Sequence, residues 1–420
     1  MSERQNGEPL SVTEADVVVI GAGAFGVTAA YQLASLGAGR VVLLDQFAPA
    51  SQTSPRAAGL FKLIQADETL TRLARLSIEI VTGFESDTGV SLPVVASGSL
   101  LTARTAAHGA MIRDEAAASQ GWGVDCDLID PAARERVAPY LAGTALHTTL
   151  HIPGDIFIEE PATMLAAYIE AGRRRGVTVR GDTPVTGLKI RGGRIAGVVT
   201  PRGEIQTETV VDAAGAWTAM VAALGKVAVP IVPVRHQLLI TEPMLGLAPD
   251  APITRITDAA VYVRPARGGM MVGGFESDPM PLDPQQAGHG FAMDRVPLDM
   301  AVLDRFTADV QAEVPALPGA AVAEHRGGLF TMTADARFLL GPAPGLGGFW
   351  LATGCNGSGF SLSSGCGRVL AEWITAGTPP FDIGTLDPRR FGETAFEPEA
   401  LTKAGIWQYA NYYTPAAVSA

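Results

Sequence analysis

The chain has 420 residues, 47% of them hydrophobic and 18% charged, with a formal net charge of −12. That length accommodates two domains or three, and the apolar share fills their cores, which excludes wholesale disorder. The acidic balance excludes nucleic acid and anionic membrane as partners, and no apolar run reaches the roughly 20 residues of a membrane span.

The leader MSERQNGEPLSVTEA is polar and lacks the basic-then-apolar layout of a signal peptide, so the cytoplasm is the expected compartment. Asp16 to Asp45 then reads DVVVIGAGAFGVTAAYQLASLGAGRVVLLD. Val17 to Ile20 is a continuous β-branched run, as expected of a strand buried on both faces. A helix over Val27 to Leu36 and a second buried strand over Val41 to Leu44 follow. Between strand and helix lies GxGxxG. Gly21 makes the turn, Gly23 lets a pyrophosphate approach the backbone beside Ala24 and Phe25, and Gly26 lets the helix pack on the strand. The pyrophosphate sits on the helix N-terminus, and Asp45 bonds the ribose hydroxyls. A dinucleotide site follows, and the acid disfavours a 2′-phosphate, leaving FAD or NAD.

After Asp45 and Gln46 comes FAPASQTSPRAAGLFK, a small-residue loop where a simple NAD fold would continue with regular βαβ units. Such a loop suits a ligand extending back over the sheet. Residues 86–154 read as an insertion. Glu160 to Arg174 is helical, Val177 to Val179 and Pro184 to Leu188 are short strands, and a hairpin meander feeds a buried strand at Thr209 to Asp212. That strand ends on Ala213-Ala214-Gly215-Ala216-Trp217, small enough for backbone to lie beside a nucleotide. Far downstream, TGCNGSGF from Thr353 to Phe360 opens a second helix with a second glycine-rich loop. The three cysteines, Cys126, Cys355 and Cys366, read as small buried or half-buried residues rather than a disulfide framework. The six histidines, His108, His147, His151, His236, His289 and His325, show no ligand spacing, so no metal is expected.

The order GAGAFG, LLDQ, SPRAAGL, TVVDAAGAW and TGCNGSGF resembles the D-amino-acid oxidase superfamily of flavoproteins, and within it the sarcosine oxidase and dimethylglycine dehydrogenase branch. VPVRHQLLITEP, VYVRPARGGMMVGGFE, LFTMTADARF and FDIGTLDPRRFGE extend the resemblance over nearly the whole chain. It implies an α/β fold with a Rossmann-type FAD-binding domain built from residues 14–85, 155–225 and 330–378. An α+β substrate domain with an antiparallel sheet would come from 86–154 and 226–329. The tail, 379–420, is expected to pack on the surface or on another subunit of a homo-oligomer. The front loop would hold the ADP half of FAD and the late loop the isoalloxazine. There, backbone donors at Asn356, Gly357, Ser358, Gly359 and Phe360 would stabilise charge on the reduced ring. Ser54, Arg56, Ala57, Ala58, Gly59 and Leu60, with Val185 and the Ala213, Ala214, Gly215 and Trp217 turn, complete the expected cofactor contacts.

The resemblance also assigns roles by difference. Dimethylglycine dehydrogenase-like proteins attach FAD through a histidine just before AAGL, where this chain has Arg56. Sarcosine oxidase-like proteins use a cysteine where this chain has Gly328. Non-covalent FAD is therefore expected. Met271 stands where sarcosine oxidase-like proteins place a lysine that assists oxygen, which favours a dehydrogenase passing electrons to a quinone or carrier protein over an oxidase using oxygen. Phe330 replaces a carboxylate-binding arginine of glycine oxidase-like proteins, leaving Arg264 and Arg326 as candidate anchors, with surface ion pairs as the alternative for each. His236 and Tyr262 match an HQY-like and a YVR-like motif. They are candidates for receiving the substrate's ammonium proton, against a purely structural role. The expected reaction is oxidation of the C–N bond of a small secondary or tertiary amine or N-substituted amino acid, with the imine then hydrolysed. A 2-hydroxy acid dehydrogenase and a non-catalytic flavoprotein partner or assembly factor are the alternatives.

Overall fold

The computed structural model describes residues 12–142, 146–288, 290–392 and 396–414; most of the leader, His289 and the extreme end of the tail lie outside the described residues. Strand Val17–Ile20 is central in a six-stranded sheet. It pairs in parallel with Val41–Leu44 on one side and Val210–Asp212 on the other. Thr178–Arg180 and Phe349–Thr353 extend the parallel run, and Leu339–Pro342 closes one edge antiparallel. Strand alternation sends Val17 and Val19 into a core with helices Ala24–Ser35, Glu68–Thr82, Pro161–Arg174 and Gly359–Ala376. Val18 and Ile20 face the opposite way, onto Ile195, Val198 and Ile205 of a three-stranded antiparallel sheet. Burial on both faces explains why this strand reads as an unbroken apolar run.

The second sheet has eight strands, in the order Val322–Met332, Val232–Thr241, Gly269–Gly274, Val261–Ala266, Ile253–Ile256, Ser99–Ala103, Thr148–Ile152 and Asp127–Leu128. Its pairings are antiparallel, as expected, except that Ile253–Ile256 runs parallel to Ser99–Ala103. One face packs on helix Met300–Asp309 through Val261, Val263, Met270, Val272 and Leu303. The register sets what the other face carries. Arg255 lies opposite Tyr262, Tyr262 opposite Gly273, Gly273 opposite Leu238, and His236 opposite Gly328. Because side chains alternate along each strand, Arg255, Tyr262, His236 and Phe330 share that face.

Three local readings need correction. The stretch 184–186 is outside any strand, which begins at Gly187. Val322–Met332 is one continuous strand through the expected boundary at 329/330. The tail does not simply lie on the surface: helix Pro398–Ala410 docks on strand Val232–Thr241, with Tyr409 fully buried.

Candidate active site

A cavity of about 360 Å³ opens where the carboxyl ends of the parallel strands meet the polar face of the second sheet. This is where ligands bind in open α/β folds. The front loop lies at one side, with Gly21, Gly23, Ala24 and Phe25 lining it. Gly26 does not line the cavity; a Cβ there would overlap the Gly21 carbonyl, so its role is to let helix meet strand. Asp45 organises the loop. Its carboxylate accepts the Ala22 N–H at 2.7 Å and the Phe47 N–H at 2.8 Å, and burial pushes the group above its usual range. Ser54 Oγ accepts the Ala24 N–H at 2.9 Å.

The late loop reaches the same cavity because its helix lies against the front one, with Thr28 Oγ1 donating to the Ser363 carbonyl at 2.8 Å. Helix Gly359–Ala376 has no side-chain cap, so first-turn N–H groups are left without intrahelical partners. Gly357, Gly359 and Phe360 line the cavity. Asn356 and Ser358 do not. The Asn356 side chain instead accepts the Thr333 N–H and donates to the Gly354 carbonyl, holding the loop's shape. Gln46, Arg56, Ala57, Ala58, Gly59, Leu60, Val185, Ala213, Ala214, Gly215 and Trp217 all line the cavity. Cys355 lines it too, with its sulfur accepting the Thr331 N–H, whereas Cys126 and Cys366 are buried in the core.

Opposite the late loop sit His236, Tyr262 and Phe330. His236 Nε2 is 3.0 Å from the Tyr262 hydroxyl, and its Nδ1 is 2.8 Å from the Tyr409 hydroxyl. Its ring stacks on Phe330 at 4.2 Å and 16°. Burial pushes the imidazole down to about 3, so it is neutral at physiological pH. A neutral imidazole so placed has one donor and one acceptor nitrogen for the two phenols. Gly273 makes the Tyr262 contact possible, since a Cβ there would overlap the phenol oxygen.

The two arginines expected to anchor substrate are not brought to the cavity. Arg264 lies two residues beyond Tyr262 on the same face, and its guanidinium is spent on the carbonyls of Ala58, Glu159 and Pro265. Arg326 bonds Glu160 and the Ala57 carbonyl. Both tie the sheet to the SPRAAGL loop. Besides Arg56, Arg255 lines the cavity, from the second sheet. Its Nη2 donates to Asp155 and Ser99, while its Nε is buried without a partner. Beside it Lys62 donates to the Tyr412 hydroxyl. Burial acts to raise that phenol, but the Lys62 ammonium, the Ser358 hydroxyl and the Arg255 guanidinium together hold it below its ordinary value. Glu115, pushed up by burial, faces the same two cations. Met271 is packed among Leu238, Ile240 and Ala266 and does not line the cavity.

A crevice with two glycine loops, two converging helix N-termini and a buried acid at the end of the second strand is the arrangement of a dinucleotide-binding flavoprotein fold. The chain belongs to the DAO family of FAD-dependent oxidoreductases, whose model matches residues 16–373. It is 32% identical over 413 residues to the mitochondrial sarcosine dehydrogenase of Homo sapiens, covering 97% of this chain and 44% of that protein. It is 30% identical over 390 residues to the mitochondrial dimethylglycine dehydrogenase of Rattus norvegicus, covering 90% of this chain and 45% of that one. The chain thus spans less than half the length of these relatives. The L-proline dehydrogenase structure from P. horikoshii shares the fold, with a TM-score of 0.82 at 24% identity over 92% of this chain and 100% of that one.

The residues present fit FAD. The loop at Gly21 passes so close to Ala213 that a Cβ would stand 2.5 Å from its carbonyl oxygen, and the cleft beyond is lined by the glycine and alanine turns together with Phe47 and Trp217. Asp45 stands at one end of that cleft and the uncapped late helix at the other. Among the described residues, no helix is long and apolar enough to cross a membrane.

Proposed function

We propose that this chain oxidises the C–N bond of a small secondary or tertiary amine bearing a carboxylate, with non-covalently held FAD. When bound, FAD supplies the two-electron acceptor for the hydride leaving the carbon next to nitrogen. Gly21, Gly23, Asp45 and the helix starting at Ala24 would hold its dinucleotide half. Gly357, Gly359 and Phe360 would hold its ring, with first-turn N–H groups facing the charge that reduction brings.

The observation that carries the reading is the buried chain Tyr262–His236–Tyr409 facing those glycines across the cavity. A neutral imidazole has one donor and one acceptor nitrogen. With the proton on Nδ1 and donated to Tyr409, Nε2 accepts the Tyr262 O–H, and the Tyr262 oxygen turns its lone pairs to the cavity. A secondary amine's N–H binds there, orienting the nitrogen and the carbon beside it; a free tertiary amine has no N–H and would be oriented through its carboxylate. Lys62 and Arg255 line the same cavity, so an ammonium is disfavoured and a carboxylate welcomed. The form selected is the free amine with an anionic group, which is the form that gives up hydride. Water then hydrolyses the resulting iminium to an aldehyde or oxo acid and a shorter amine.

The same observation weighs against a 2-hydroxy acid as substrate. That reaction needs a base to remove an alcohol proton, and an imidazole pushed down to about 3 is a poor one. The test is anaerobic flavin reduction by sarcosine, dimethylglycine and cyclic imino acids against the matching 2-hydroxy acids. Reduction by amines alone supports the reading, and reduction by hydroxy acids alone overturns it.

A further inference from the structure

Tyr409 lies outside the residues matched by the family model, which end at 373, yet it hydrogen-bonds a buried side chain of the site, His236. The segment bringing it there is built for that position. Glu397 caps helix Pro398–Ala410 by accepting the Glu399 and Ala400 N–H groups, and Gln408 ties its far end to the Ala334 carbonyl. The helix crosses strand Val232–Thr241 at Gly405, where a Cβ would stand 2.8 Å from Val232 Cβ. Four residues on along each element, Tyr409 meets His236. Its ring also packs on Phe275 at 5.1 Å and Phe330 at 6.2 Å, so the hydroxyl has little freedom to leave Nδ1.

We infer that Tyr409 is a positioning residue for the oxidation, acting through His236 to fix which ring nitrogen carries the proton and so what Tyr262 presents to substrate. Tyr409 does not line the cavity. Its effect runs through one hydrogen bond at each ring nitrogen: without a partner at Nδ1, the imidazole loses both its orientation and its preference between tautomers. The first turn after the helix adds Tyr412, stacked on Phe275 at 4.0 Å and bonded to Lys62, so the same segment walls the cavity's cationic end. This inference rests on the amine reading for its kinetic test, but not for its spectroscopic one.

The kinetic test is a double-mutant cycle of Tyr409→Phe and Tyr262→Phe on the holoenzyme, read as the limiting rate of anaerobic flavin reduction. Tyr409→Phe alone is expected to slow that rate roughly 5- to 100-fold, with substrate Kd changed less than about threefold and FAD retained. In the Tyr262→Phe background it should slow it less than about threefold, because the group being positioned is gone. Equal slowing in both backgrounds overturns the proposal, as does an unchanged rate. If no amine reduces the wild-type flavin, the proposed function fails, and the nitrogen chemical shifts of the His236 ring in labelled holoenzyme still judge Tyr409. A single fixed tautomer in the wild type that becomes averaged in Tyr409→Phe supports the inference. Averaging already present in the wild type overturns it, a measurement that also serves should the variant fail to fold.

Discussion

Replacing Asp45 by alanine separates what that carboxylate does for the chain from what it does for the cofactor. In the folded chain its two oxygens accept the Ala22 and Phe47 N–H groups at 2.7 and 2.8 Å, and it is 9% exposed. Hydrogen bonds to a charged group contribute about 1.5–3 kcal/mol each. The two donors lie at a cavity where water can reach them, so the lower figure applies to both, about 3 kcal/mol in all. For a domain of this size that is a fall in Tm on the order of 5–10 °C in the FAD-free protein. Asp45 also lines the cavity where the ribose would lie. Losing one further bond of the same kind weakens FAD binding roughly 10- to 150-fold beyond the loss from loop distortion. The assay is differential scanning calorimetry of the FAD-free protein beside FAD titration of the same preparation. Asp45→Asn keeps one acceptor oxygen and should fall between wild type and alanine in both. If Asp45→Ala keeps both its Tm and its FAD affinity within threefold, the account of the front loop is wrong.

Gly26→Ala should be far more damaging than its size implies, because the new Cβ overlaps the Gly21 carbonyl; we expect protein that purifies without FAD, checked by its absorbance spectrum. Gly273→Ala should displace the Tyr262 hydroxyl from His236 and slow flavin reduction about 5- to 150-fold while FAD affinity stays put. His236 is held at about 3 when folded against an ordinary 6.5. In the unfolded chain it takes up a proton below that ordinary value, so protonation favours unfolding. Its contribution to stability is therefore full above 6.5 and lost as pH falls, by roughly 1 kcal/mol between about pH 7.5 and about pH 5.5. Denaturant unfolding of wild type and His236→Asn at both pH values should show that difference only in the wild type. The rate of flavin reduction should rise with pH alongside deprotonation of the substrate amine, and its midpoint should move when a less basic amine is used.

Strand periodicity carried the nucleotide sheet: VVVI and VVLL are strands from Val17 to Ile20 and Val41 to Leu44 as read, because burial on both faces leaves an unmistakable apolar run. The two glycine loops were equally legible, since close backbone approach demands glycine wherever it occurs. Which arginine faces the cavity was not. Tyr262 and Arg264 lie on one face of one strand, and alternation cannot tell them apart. What separates them is that the Ala58 to Gly59 turn covers the sheet at Arg264 and takes its donors. Arg255 comes from a neighbouring strand whose register against Tyr262 no local pattern encodes. Lys62 was visible beside AAGLF, but only the return of the tail to bring Tyr412 over it shows that it lines a site. Tyr409 was hidden for the same reason: its partner His236 is 173 residues away in the chain. The glycine in GGMMVGGF that clears room for Tyr262 carried a signal, since glycine within a strand marks close approach.

The measurement that tests the central claim most directly combines acid precipitation of the purified holoenzyme with anaerobic titration by amines and 2-hydroxy acids. The account predicts that FAD is released intact into the supernatant, and that a carboxylate-bearing secondary or tertiary amine bleaches the oxidised flavin while the hydroxy acids do not. Flavin that stays with the precipitated protein would contradict non-covalent binding. Flavin that no amine reduces would contradict the assignment of the Tyr262–His236–Tyr409 chain to amine oxidation.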